Sequence, residues 1–176
     1  MGALTTNDFT NLAQSSIKDY VESIFVGDSL VEVRIGFPDF TNMTPLEKVF
    51  VTVSVEESDF SPSGYDDIVE SSEPTETHSE TRCHLVNTVI GIDVWTSRGS
   101  STRPSKSGGL TGCSRYMSTV ARAFTFDLNK LYSLYPDAEV ESFVHQYSRK
   151  PESFDQADLF QGHGELRLQF PIEVSV

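Results

Sequence analysis

No stretch of this sequence stays apolar for the roughly eighteen residues that a membrane-spanning helix needs, so such a helix is excluded. Cysteine is scarce. The two present, Cys83 and Cys113, form no C-x-x-C pair and have no histidine at metal spacing, which reads as two reduced thiols of a cytosolic protein. The four histidines, His78, His84, His145 and His163, are scattered without an H-E-x-x-H or comparable motif, so no metal site and no cofactor are expected. The N-terminal MGALTT lacks a basic region followed by an apolar core, so no secretory signal is expected. It fits only the short, loose pattern for N-myristoylation at Gly2.

Charge of one sign is missing from two long stretches. From Glu56 to Glu80 there is no lysine or arginine among nine carboxylates: Glu56, Glu57, Asp59, Asp66, Asp67, Glu70, Glu73, Glu76 and Glu80. From Val94 to Phe126 there is no carboxylate, while Arg98, Arg103, Lys106, Arg115 and Arg122 are present. The formal net charge of −13 is therefore largely that of one segment. Opposite charge on separate segments of one chain is what self-association can use for steering and register.

Catalytic signatures are also lacking. The basic stretch TSRGSSTRPSKSGGLTG, Thr96 to Gly112, places Lys106 before Gly108 and Gly109. A phosphate-binding loop needs the lysine after its glycines, so that backbone N–H groups wrap the phosphates and the ammonium neutralises them. No G-x-S-x-G elbow is present. The carboxylate pairs Glu56–Glu57 and Asp66–Asp67 lie in polar surroundings and are expected to ionise normally, without the tuning that acid–base catalysis requires. The strong net acidity opposes free DNA binding by the basic stretch. No catalytic residues are assigned, and a non-enzyme is expected.

What is there is periodicity. The 176 residues suit one domain. From Asn7 to Phe25, the residues Phe9, Leu12, Ala13, Ile17, Tyr20, Val21, Ile24 and Phe25 share one helical face, with Gly27 as the stop. From Thr111 to Tyr135, Met117, Val120, Ala121, Phe124, Leu128, Leu131, Tyr132 and Tyr135 do the same, closed by Pro136. Alternation predicts strands over Leu30–Phe37, Lys48–Glu56, Arg82–Trp95, Val140–Arg149 and Glu165–Val176. The first two are expected to pair antiparallel. Pro171, inside the last, points to an edge or a bulge. The order lacks a βαβαβ rhythm, so the fold class expected is α+β: a mostly antiparallel sheet of about five strands, with two helices packed on one face. Long loops are expected at about 57–81 and 96–110. They are too polar to order themselves, and read as arms that order on a neighbour.

With that order of elements, several segments resemble the tail terminator proteins of long-tailed bacteriophages. These are IGFPDF (Ile35 to Phe40), the Val-rich VFVTVSV, VNTVIGIDVWTSR after a long loop, a long helix, and a closing LQFPIEVSV. The similarity spans nearly the whole chain and rests on element order, length and loop position. It implies a homo-oligomeric ring, a hexamer, that caps the tail tube and ends its polymerisation in the virion after assembly in the host cytoplasm. It further implies partners in the tail tube protein and the head-tail connector or stopper protein, with DNA only as cargo through the lumen. Within that reading, Arg98, Arg103, Lys106 and Arg115 are assigned to contacts between subunits or with the tube. Asp59, Asp66, Asp67, Glu70 and Glu73 of the acidic segment face either the lumen or the outside. Another phage neck or connector component, and an acidic protein-binding module that mimics nucleic acid, are the alternatives.

Overall fold

Alternating valines and isoleucines organise the chain around one sheet. The computed structural model describes residues 6–36, 48–62, 81–97, 109–127, 139–150 and 159–175. In chain order the elements are α1 (Thr6–Ile24), β1 (Val31–Ile35), β2 (Val49–Pro62), β3 (Thr81–Ser97), α2 (Gly109–Phe126), β4 (Glu139–Lys150) and β5 (Leu159–Ser175). The five strands form a single sheet in the order β1-β2-β3-β5-β4. The fold is α+β, as expected, with the helices packed against the sheet.

The side-chain period of two sends Val49, Val51 and Val53 of β2 to one face, level with Val94 and Ile92 of β3. Helix α1 meets that face with Ala13, Ile17, Tyr20 and Val21, and α2 meets it with Cys113, Tyr116, Met117, Val120 and Phe124. All of these belong to one buried cluster. Each fully buried valine, leucine or isoleucine there contributes about 1.5–3 kcal/mol relative to exposure. The Tyr20 and Phe124 rings meet edge to face at 5.1 Å, and Phe124 stacks on Phe143 of β4 at 5.5 Å. The Tyr20 hydroxyl lies 2.6 Å from the Asp127 carbonyl oxygen and 3.2 Å from that of Ala123. It thereby supplies a donor at the end of α2, where the Ala123 carbonyl already accepts from the Asp127 N–H at 3.0 Å.

Four expectations need correction. First, β1 and β2 pair parallel, with Val31 beside Val49 and Ile35 beside Val53. A parallel pair needs a connection of about a dozen residues to return along the sheet, and residues 36–48 supply that length. Second, β2 runs on to Pro62, so Glu57 to Pro62 are strand, not loop. The backbone of His84 to Val89 in β3 pairs with them, and ladder hydrogen bonds do not require apolar side chains. Third, α2 ends at Phe126 and not at Tyr135, beside the Tyr20 hydroxyl. Residues 128–135, which carry the rest of the predicted helical face, lie outside the described residues. Fourth, β5 begins at Leu159, not Glu165. Gly162 and Gly164, within the added stretch, are close-approach points. A Cβ on Gly162 would meet Cys113 Sγ at 3.2 Å, and a Cβ on Gly164 would press on the Phe143 ring.

Pro171 lies within β5. It stands opposite Leu85 of β3, and among the described residues the β4–β5 pairing ends at Gln169, two residues before it. Gly27, with φ 89°, makes the turn after α1, as expected. Among the described residues, no helix is long and apolar enough to cross a membrane.

Candidate functional site

The sheet face away from the helices carries a polar cluster. In β3 the alternation that turns Ile90, Ile92 and Val94 toward the helices turns Gly91, Asp93 and Trp95 to the other side. Across the β3–β5 ladder, Gln161 stands opposite Trp95, His163 opposite Asp93 and Glu165 opposite Gly91. On the β2 side, the register shifts between Val55 and Glu57, which leaves Glu56 as the extra residue of a β-bulge. A bulge re-aims the side chain at its extra position. Here the Glu56 carboxylate lies directly over the Cα of Gly91, in space that any Cβ would fill.

Asp93 is the anchor. It is 1% exposed, and its Oδ1 accepts a hydrogen bond from Gln161 Nε2 at 2.7 Å. The same oxygen is 2.8 Å from His163 Nδ1. A carboxylate oxygen only accepts, so Nδ1 donates and Asp93 fixes the orientation of the imidazole. The other oxygen, Oδ2, is buried without a hydrogen-bond partner. The far side of the ring, Nε2, faces Glu56 Oε1 at 3.6 Å and Glu165 Oε1 at 3.8 Å. Burial pushes the Glu56 carboxyl above its usual range; His163 opposes the rise, and Asp93 and Glu165 add to it. Glu56 therefore departs from the expectation that it ionises normally. Arg167 Nη2 stands 3.8 Å from Glu165 Oε2, at the outer side of the cluster.

One atom each from Glu56, His163 and Glu165 can be chosen so that all lie within 4.8 Å of one another. An oriented imidazole and two converging carboxylates can hold a proton or a cation between them. These side chains are partly open to solvent, at 32%, 20% and 38% exposure.

Of the site residues singled out from the sequence, Arg115 and Asp59 are described, and neither is part of this cluster. Arg115 is exposed on α2, with its guanidinium carbon 5.8 Å from the centre of the Tyr116 ring. Asp59 is an exposed residue of β2 opposite Asn87, in a strand and not in a loop. Arg98, Arg103, Lys106, Asp66, Asp67, Glu70 and Glu73 lie outside the described residues. The cluster itself went unassigned. Its signals were Asp93 inside the apolar run VIGIDVW, and Gly91 in the same strand. A lone glycine in a strand marks a bulge or a close approach. Compared with known proteins, the chain matches no family model and has no significantly similar curated relative.

Proposed function

We propose that this chain is a non-enzymatic structural protein that joins copies of itself into a ring, in the manner of the phage tail terminators it resembles. On this reading the ring closes the head-proximal end of a tail tube and offers its other side to a head connector. The observation that carries the reading is the pair of outer strands. β1 and β4 bound the sheet at opposite ends, and among the described residues neither has a strand on its outer side. A ring requires two different, complementary surfaces on opposite sides of one subunit. An open strand edge is a ready template for a neighbouring chain. Each edge strand also exposes an apolar side chain: Ile35 of β1 is 50% exposed and Val144 of β4 is 61% exposed. The oppositely charged segments supply steering, with Arg98, Arg103, Lys106 and Arg115 at contacts between subunits or with the tube.

The test is the mass of the purified chain in solution, with negative-stain images of the same sample, alone and with tail tubes. Rings, free or on tube ends, are expected. Val144→Lys is expected to abolish them while leaving the melt cooperative, because an edge lysine blocks strand addition. Arg98→Glu with Arg103→Glu is expected to weaken assembly, and so is raised salt, which screens charges at an interface rim. A chain that stays monomeric and ignores tubes would overturn the reading and favour the acidic binding module.

A further inference from the structure

We propose that Glu56, His163 and Glu165 bind a divalent first-row transition-metal ion, with Asp93 orienting the imidazole from behind. Because Nδ1 donates to Asp93, Nε2 is the ring nitrogen that faces Glu56 and Glu165 and is the one available to a metal ion. Distances of 3.6 and 3.8 Å are beyond hydrogen-bond reach, so Nε2 bonds to neither carboxylate. Two carboxylates converging on one ring nitrogen call for a positive charge among them, carried by a proton on that nitrogen or by a bound cation. In a tetrahedral site with metal–ligand distances of about 2.0–2.1 Å, neighbouring ligand atoms stand roughly 3.4 Å apart. The two His–Glu distances, 3.6 and 3.8 Å, exceed that by a few tenths of an ångström, and all three ligand atoms lie within 4.8 Å of one another, so the carboxylates must close in on binding.

Two features besides the ligands themselves point the same way. Asp93 is a fully buried carboxylate whose Oδ1 accepts from His163 Nδ1 and from Gln161 Nε2, the backing that a carboxylate–histidine–metal triad uses to orient its imidazole. Gly91 leaves the cradle in which the Glu56 carboxylate rests, and a bulge places Glu56 there. The imidazole selects against magnesium and calcium, and the two carboxylates suit zinc, manganese or iron better than a thiol-preferring ion. Three protein ligands leave one position for water. The ion joins β2 to β5 across β3, so it ties together the three middle strands of the sheet.

The experiment is calorimetric titration of the tag-free, full-length chain with Zn2+, paralleled by thermal melts at rising Zn2+ concentration and by the visible spectrum of the Co2+ form. Saturable binding of one ion per chain is expected, with a melting temperature that climbs with free Zn2+ because the unfolded chain lacks the assembled site. Glu165→Gln, at a partly exposed position that folding tolerates, is expected to weaken binding at least tenfold and to change the Co2+ spectrum. Asp93→Asn is expected to weaken it 10- to 100-fold. His145→Ala, on β4, is expected to leave it unchanged. Equal binding of Mg2+ and Zn2+, no saturable Zn2+ binding, or Zn2+ binding unaltered by Glu165→Gln would each overturn the proposal. The last of these results would mean that zinc is held by unrelated surface carboxylates.

Discussion

Gly162 is where α2 comes closest to the sheet, and the approach can be tested with one methyl group. A Cβ at Gly162 would stand 3.2 Å from Cys113 Sγ, 3.3 Å from Met117 Cβ and 3.4 Å from Met117 Cε. Favourable contact lies at about 3.5–4.0 Å, so each partner must withdraw by a few tenths of an ångström. Sγ and Cβ are near the helix backbone and cannot swing away as a chain end can, so α2 itself must lift. Overpacking of this kind costs about 1–3 kcal/mol. Gly162 has no positive φ, so alanine fits its backbone and restricts the unfolded chain, which returns about 0.4–1 kcal/mol. The net expectation for Gly162→Ala is a loss of about 1 kcal/mol, or a melting temperature lower by about 2–4 °C for a domain of this size. Cys113→Ala removes the closest obstructing atom. The double variant is therefore expected to be more stable than the sum of the single effects by at least about 0.5 kcal/mol. Urea denaturation of the four proteins in the cycle measures this. If Gly162→Ala is as stable as the parent, or if the two changes simply add, helix and strand do not meet as described.

Other perturbations probe the same core. Tyr20→Phe removes the hydroxyl that serves the carbonyls of Ala123 and Asp127, and is expected to cost about 1–2 kcal/mol in urea denaturation. Burial pushes the Cys113 thiol up to about 12, so in a Cys83→Ser background Cys113 should resist thiol reagents until the protein unfolds. Burial, with Asp127 adding to it, also pushes the Tyr20 hydroxyl up to about 12. Both groups are raised above their unfolded values of 9.0 and 10.0, so their contribution is complete below those values and lost as pH climbs toward 12. Each then lowers stability by about 1.4 kcal/mol per pH unit across its own window, and Tyr20→Phe should remove the tyrosine share of that slope. A melt insensitive to pH between 9 and 12 would refute the burial of both groups.

Most elements were legible because their periods are local. Ala13, Ile17, Tyr20 and Val21 announce a helical face, and Val49, Val51 and Val53 a strand face, whatever lies across from them. Direction was not legible, since alternation reads the same in parallel and antiparallel strands; only the length of residues 36–48 hinted that β1 and β2 run the same way. The end of α2 was misread because its apolar spacing continues past Phe126, whereas the Tyr20 hydroxyl at that end comes from α1, more than a hundred residues earlier in the chain. The polar cluster was hidden for the same reason. Glu56, Asp93 and His163 meet only once β2, β3 and β5 are in register and a bulge has turned Glu56, and no short motif records that.

The two proposals draw on different parts of one sheet, and this makes them separable. Assembly is assigned to the outer strands, where Ile35 and Val144 are exposed. Metal binding is assigned to the three inner strands, where Asp93 is buried and its neighbours are only partly open. Glu165 is the nearest link between them, since it stands opposite Val144 in the β4–β5 ladder. If a neighbouring subunit adds to β4, it comes next to the strand that bears both His163 and Glu165, and ordering β4 would hold that ladder in place. Metal affinity should then rise on assembly, and by linkage the ion should favour assembly by the same factor. Ile35→Lys, which blocks the opposite edge and lies on β1, away from the cluster, should leave the monomer's own affinity for Zn2+ intact while removing that coupling. An Ile35→Lys monomer that loses Zn2+ altogether would show that the ligands lie between subunits, and the division of the sheet into an assembling edge and a binding centre would fail.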